Sequence, residues 1–202
     1  MVPFLARFRM LYEQTTIPLG GICVRFGLSP DMLTITSLVI GGAAAFVIAR
    51  GNFYGGIALI LLMGLFDVLD GATARAGGTA STYGTVFDHV IDRYAEFLIL
   101  LGIMLNGAAE PGWTLFALFG MVMASYVRAR AESTGQLASC NVGFAGRQEK
   151  LGLLIIGLAL QPLLPELRPL HWLIILVGVL SHITAVQRLL YAKKMLGSRT
   201  HE

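Results

Sequence analysis

Charge is what this sequence has least of. Only 13% of its 202 residues are Asp, Glu, Lys or Arg, about half the share of a soluble domain. In their place stand 55% hydrophobic residues and a mean hydropathy of +0.71. That balance excludes an ordinary soluble globular domain and indicates an integral membrane protein. Cysteine is also scarce. Cys23 and Cys140 lie far apart and fit neither a metal-binding nor a redox spacing, so both are expected to be plain apolar-environment residues. No internal repeat or low-complexity tract is present, which sets aside solenoids and disordered tails. The first residues lack a continuous apolar stretch and a small-residue cleavage site, so no cleavable signal peptide is expected. No nucleic-acid partner is expected. The length suits a single domain over 1–202.

What is present is a series of apolar runs. Residues 1–26 alternate apolar groups (Phe4, Leu5, Phe8, Met10, Leu11) with Arg7, Arg9 and Glu13, the pattern of an amphipathic helix lying in the membrane interface. Pro18-Leu19-Gly20-Gly21 would kink it. Ser29-Pro30-Asp31 resembles an N-cap, a first-turn proline and an acid at the positive helix end. Apolar spans follow over about 32–49, 54–74, 82–105, 113–131, 150–164 and 170–191, each near the ~20 residues a bilayer requires. The expectation is an all-α membrane protein. Residues 1–28 form the interfacial helix, 29–195 a core of six transmembrane helices, and 196–202 a basic tail. With six spans, the N-terminal segment, Arg75, the stretch from Arg128 to Lys150 and the C-terminal tail share one side. The other side offers Arg50 and Arg168. The basic side is then cytoplasmic, and the protein is a multi-pass protein of the cell membrane.

Within this apolar frame one stretch is out of place. DVLDGATARAGGTASTYGTVFDHVID, from Asp67 to Asp92, holds four aspartates in two pairs. Carboxylates inside such runs cost about 2.5–3.5 kcal/mol each. Asp67 and Asp70 are three apart and Asp88 and Asp92 four apart, so each pair shares a helix face. Gly84 lies one turn before Asp88 on the same face and leaves a gap for a ligand. Between the pairs Gly77-Gly78-Thr79-Ala80-Ser81-Thr82 is turn-prone. Two antiparallel helices joined there bring four hard oxygen ligands to one point, which suits Mg²⁺, Mn²⁺ or Ca²⁺. The structural alternative pairs the acids with Arg75 and Arg93, but leaves four acids against two bases. The cluster would sit in the cytoplasmic third of the membrane, facing the cytoplasm and open to both cytosol and lipid.

Basic groups lie at comparable depth. Arg128 and Arg130 end the fourth span, and Arg147, Lys150 and Arg188 lie on the fifth and sixth. Guanidinium groups hold phosphate bidentately, so converging arginines would form an anion pocket beside the metal site. Their alternative use is snorkelling to lipid headgroups, the reading preferred for Lys193, Lys194 and Arg199. His89 lies off the Asp88/Asp92 face and is expected to pack or hydrogen-bond rather than ligate. His182 is weaker still as a ligand. Glu96 extends the acidic stripe by one turn and either orients a neighbour or pairs with a base.

The series Asp67-x-x-Asp70-Gly71-x-x-Ala74-Arg75, eight residues, then Gly84-x-x-x-Asp88-x-x-x-Asp92 resembles the complete signature of the CDP-alcohol phosphotransferases. The resemblance extends to the spans and the N-terminal helix. It implies two divalent ions, Mg²⁺ or Mn²⁺, held by Asp67, Asp70, Asp88 and Asp92. It implies a CDP-linked lipid whose nucleotide is bound by those metals and by Gly71, Ala74, Arg75 and Gly84. An acceptor hydroxyl attacks the β-phosphate, CMP leaves, and Asp92 is the expected general base. Thr79 and Ser81 stand where they could hydrogen-bond the nucleotide. A homodimer is also implied.

Ser125–Glu132 (SYVRARAE) and Cys140–Arg147 (CNVGFAGR) are similar to the subgroup that uses inositol 1-phosphate. These are the phosphatidylinositol-phosphate and archaetidylinositol-phosphate synthases. That likeness implies that Arg128, Arg130, Arg147 and Arg188 hold the acceptor's phosphate. Gly146 departs from the subgroup, which usually has an acidic residue there. A phosphatidylglycerophosphate-type synthase using glycerol 3-phosphate is the rival. A cation or proton transporter would distribute its acids through the membrane and show matched halves with broken helices. A divalent-stabilised scaffold would tolerate Asp92→Asn.

Overall fold

The computed structural model describes the backbone of residues 6–197 and the side chains of residues 16–197. Described residues form α1 (Ala6–Arg25), α2 (Pro30–Ala49), α3 (Phe53–Ala76), α4 (Thr82–Asn106), α5 (Pro111–Glu132), α6 (Arg147–Leu160) and α7 (Pro169–Gly197), with a 3₁₀ turn at Pro165–Leu167. They divide into two compact units at Gly107/Ala108, α1–α4 and α5–α7.

Helix starts follow the sequence's capping chemistry. Ser29 Oγ accepts the Met32 N–H over 3.2 Å, with Pro30 and Asp31 in the first turn of α2. Asn52 caps α3 by accepting the Gly55 N–H over 2.9 Å. Each side-chain acceptor satisfies one of the amide donors a helix start leaves unpaired. Gly107 ends α4 in the left-handed region at φ 79°, where a side chain would be strained.

In the first unit α2 packs on both α3 and α4. The contacts are close because small residues lie at them, as in helix pairs that must approach without a hydrophobic drive from water. A Cβ on Gly102 of α4 would stand 2.5 Å from the Ala45 carbonyl oxygen of α2, and one on Gly41 would stand 3.2 Å from Met63 Sδ. Ala44, Ile48, Ile60, Met63, Ile99 and Ile103 fill the space between these helices. Gly20 of α1 lies against the Ala72 carbonyl of α3. In the second unit Gly120 and Gly178 bring α5 and α7 together, against His182 and Phe116, while Gly157 seats α6 on Leu170.

Among the described residues, four stretches are long and apolar enough to cross a membrane: Pro30–Ala49, Phe53–Ala76, Pro111–Glu132 and Pro165–Gly197. Two expected spans differ. α4 is 25 residues long, but it carries Asp88, Asp92, Arg93 and Glu96 along its first half and middle. α6 is a helix of 14 residues, about 21 Å at 1.5 Å per residue, against a hydrocarbon core of ~30 Å. It starts three residues earlier than expected and stops at Leu160, short of Pro162 and Pro165, because proline cannot extend the ladder. The N-terminal helix runs on through Pro18. From Thr16 onward it buries Thr16, Gly20 and Cys23 and leaves Ile17, Leu19, Ile22 and Val24 exposed. The basic and apolar groups before Thr16, on which the interfacial reading rested, lie outside the described side chains, and Arg199 of the tail lies outside the described residues. Lys193 and Lys194 are exposed on the last turns of α7.

Gly102→Val is expected to force α2 and α4 apart and destabilise the protein by about 1–3 kcal/mol. Gly64→Ala on α3, where an added Cβ meets nothing within 4 Å, is expected to be neutral or stabilising by up to about 1 kcal/mol. Thermal melts of both variants in one detergent check the contrast, and equal behaviour contradicts the close α2–α4 approach.

Candidate functional site

The aspartates come together because the chain reverses sharply between α3 and α4. α3 ends with the Gly78 N–H bonded to the Arg75 carbonyl (3.4 Å) and the Thr79 N–H to that of Ala74 (3.0 Å). Gly78 takes φ 64°. This is the Schellman arrangement, which needs the left-handed conformation glycine permits. Three residues later Ser81 Oγ accepts the Gly84 N–H over 2.9 Å and starts α4. Ser81 is thus occupied as an N-cap, and both it and Thr79 are exposed.

The reversal sets the end of α3 beside the start of α4. Carboxylate oxygens of Asp67, Asp88 and Asp92 all lie within 4.8 Å of one another. Asp92 is buried, and Asp67 and Asp88 are partly so. Asp70, also buried, is close enough for Asp67 and Asp88 to act on its charge. Its Oδ2 is taken by the Thr34 hydroxyl of α2, which donates over 2.6 Å. So three of the four expected carboxylates converge, while the fourth is steered by a threonine that the sequence did not single out.

Arg93 makes its short contact with Glu96, 2.8 Å, and reaches Asp92 only at 3.9 Å. Glu96 is therefore a partner of Arg93 on the buried side of α4. Arg75 folds back along α3, so a Cβ on Gly71 would stand 3.2 Å from its Nη1. His89 is exposed and outside the converging carboxylates. Three hard oxygens at this spacing could hold a metal ion of the Mg²⁺, Mn²⁺ or Ca²⁺ kind, and a cation there would offset the repulsion of the carboxylates for one another.

The second unit carries the arginines. Arg188 of α7 is buried, and its Nε donates to the Val142 carbonyl (2.9 Å) while Nη1 donates to that of Ala124 (2.7 Å). It is a clamp between α5, α7 and the loop 133–146, not a snorkelling side chain. The loop is further fixed by the Phe144 N–H on Gln187 Oε1 (2.8 Å) and by Thr184 Oγ1 on Ala145. Gly143, at φ 129°, lies where a Cβ would meet Thr184 Cγ2. Arg128 Nε pairs with Glu132 Oε1 over 3.0 Å. Arg130 is exposed, with Nη1 3.4 Å from Ser133 Oγ. Arg147 is the first residue of α6, and Lys150 is buried one turn on. A Cβ on Gly146 would stand 2.8 Å from Glu149 Oε2, so an acid from the next turn approaches the position where the subgroup usually carries one. Cys140 is fully buried, and burial pushes its thiol above the ordinary range despite the Arg188 charge. It is therefore no reactive thiolate.

Sequence reasoning missed Thr34, Thr184, Gln187 and the part played by Glu132. Only Glu132 had a local signal, its i+4 spacing from Arg128.

Known proteins bear on this arrangement. The sequence model of the CDP-alcohol phosphatidyltransferases matches residues 28–186. An archaetidylinositol phosphate synthase of Methanothermobacter thermautotrophicus is 33% identical over 95% of both chains. A phosphatidylinositol phosphate synthase of Mycobacteroides abscessus is 32% identical over 90% of this chain and 84% of that one. The crystal structure of the Mycobacterium tuberculosis phosphatidylinositol phosphate synthase with CDP-DAG bound superposes with a TM-score of 0.82 at 30% identity, covering 94% of this chain and 98% of that one. The same enzyme in complex with manganese and citrate also gives 0.82, covering 93% of each chain. With a match across most of its length and three of the signature aspartates gathered about one helix reversal, the chain belongs to the CDP-alcohol phosphatidyltransferase family.

Proposed function

We propose that this phospholipid-synthesis transferase moves the phosphatidyl or archaetidyl group of a CDP-linked lipid to a hydroxyl of inositol 1-phosphate and releases CMP. The observation that carries the reading is the convergence of Asp67, Asp88 and Asp92 within 4.8 Å on the eight-position signature of the family. The relatives' names support the acceptor, since both are inositol phosphate synthases. The manganese complex of the structural relative supports the metal, and its CDP-DAG complex supports the donor.

Asp67, Asp70, Asp88 and Asp92 hold two divalent ions, Mg²⁺ or Mn²⁺, with Thr34 orienting Asp70. When bound, such ions neutralise the pyrophosphate and stabilise CMP as it leaves. Gly71 and Gly84 let the nucleotide approach two helix backbones, Ala74 lines its site, and Arg75 lies over Gly71 to meet a phosphate. Thr79 and Ser81 offer hydroxyl groups at the reversal; Ser81, accepting the Gly84 N–H, still has its proton to donate. Asp92 takes the proton of the acceptor hydroxyl. The hydroxyl oxygen then bonds to the β-phosphorus, the bond from that phosphorus to the bridging oxygen breaks, and CMP keeps that oxygen. Arg128, Arg130, Arg147 and Arg188 hold the acceptor's phosphate. The domain over 1–202 works as a homodimer of six-span subunits in the cell membrane, with its N-terminal helix at the interface and its site open to the cytoplasm.

CMP release from CDP-lipid in detergent, measured with inositol 1-phosphate, glycerol 3-phosphate, free inositol and serine, tests the acceptor. Turnover is expected with inositol 1-phosphate. Turnover confined to glycerol 3-phosphate contradicts the inositol reading while leaving the phosphate pocket intact. Asp92→Asn is expected to lower kcat about 10²–10⁴-fold, the share of a general base, while Mn²⁺ still binds by titration calorimetry. Full activity in that variant removes Asp92 as the base.

A further inference from the structure

Glu132 is the last residue of α5, and the reaction as proposed gives it no task. Its Oε1 accepts two hydrogen bonds, one from Arg128 Nε over 3.0 Å and one from the Cys140 N–H over 2.8 Å. The amide it meets is itself fixed. Cys140 is fully buried in a cluster with Ala131, Leu137 and Ala192, and its Sγ lies 3.7 Å from the Arg188 carbonyl oxygen. The Glu132 carboxylate therefore joins the backbone N–H of a fully buried residue to the guanidinium of Arg128.

The grip on Arg128 is specific in its geometry. Nε is the Arg128 donor that a described residue takes. A guanidinium held by Nε keeps both Nη groups, the fork that meets a phosphate through two parallel bonds. The Arg128 side chain is partly exposed, at 34%. Arg188 is anchored in a similar way, with Nε on a loop carbonyl and Nη1 on Ala124. Ala124 and Arg128 are four apart and share a face of α5. Two guanidiniums are thus drawn to one stretch of that helix.

We propose that Glu132 is a positioning residue for the acceptor. It locks Arg128 through Nε so that the Nη fork is set in advance toward the acceptor's phosphate, and the rotamer entropy of a long side chain is lost before binding rather than during it. The inference rests on the reading that Arg128 binds that phosphate. The competing role is a mere tether, in which Glu132 serves only the Cys140 amide and so keeps the loop in place. Glu132→Gln separates the two. Its amide oxygen still accepts the Cys140 N–H but no longer offers Arg128 a charge.

The test uses the full chain in detergent, with CMP release followed against inositol 1-phosphate at saturating CDP-lipid and against CDP-lipid at saturating inositol 1-phosphate. Arg128→Ala is expected to raise the acceptor KM about 10- to 100-fold, the loss of a charge-assisted bond. Glu132→Gln is expected to raise it about 10-fold, in line with other partners that orient a binding group, with the CDP-lipid KM unchanged. The double variant is expected to be no worse than Arg128→Ala alone, because both changes remove one interaction. Glu132→Asp, one methylene shorter, is the second variant, and its acceptor KM is also expected to rise. The proposal is overturned if Glu132→Gln and Glu132→Asp keep the wild-type acceptor KM, if both substrates' KM values rise alike, or if the double variant multiplies the single effects. In each of those cases a raised KM in Arg128→Ala leaves the acceptor pocket standing. An unchanged acceptor KM in Arg128→Ala sinks the pocket reading and this inference with it.

Discussion

The constraint on which this protein turns is the cost of negative charge in an apolar chain. Three carboxylates share a space 4.8 Å across, and Arg93 gives its short contact to Glu96. Each acid is expensive within an apolar run, and their mutual repulsion adds to that cost. A divalent cation held there would offset both penalties at once. It would also serve the proposed chemistry, because the charge that relieves the carboxylates could hold and polarise a pyrophosphate. One group of atoms would then meet the stabilising and the chemical requirement.

The rest of the first unit serves that group by fixing where α3 and α4 meet. The reversal is built from a left-handed glycine, Gly78, and a capping serine, Ser81. The close approach of α2 to α4 is built from glycine, with Gly102 against Ala45. Thr34 then reaches from α2 to Asp70 over 2.6 Å. In the second unit fixation comes from side chain to backbone instead. Arg188, Thr184, Gln187 and Glu132 all bond main-chain atoms of the loop 133–146. A loop without regular structure thereby has several of its amides and carbonyls satisfied by side chains.

What the sequence revealed was local. Helix-face arguments paired Asp67 with Asp70 and Asp88 with Asp92, because spacings of three and four need no tertiary knowledge; the gathering of Asp67 with Asp88 and Asp92 needed the turn between the helices as well. Ser29-Pro30-Asp31 announced the start of α2 by its capping chemistry, and the glycine-rich link announced the reversal. What stayed hidden depended on partners far along the chain. Thr34 and Asp70 are 36 residues apart, and Arg188 finds Val142 and Ala124 across 46 and 64. No spacing rule couples such positions. α6 illustrates a second limit. Hydropathy over 150–164 suggested a span, yet the prolines at 162 and 165 stop the helix at Leu160, and apolarity alone says nothing of length. The glycines that set helix contacts were visible as residues, but which helix each would face was not.

The most direct measurement is an anomalous difference map from crystals grown with Mn²⁺. The account predicts manganese peaks between the carboxylates of Asp67, Asp88 and Asp92, with Asp70 alongside. Absence of a peak there, with those oxygens closed onto Arg75 and Arg93 instead, would contradict it.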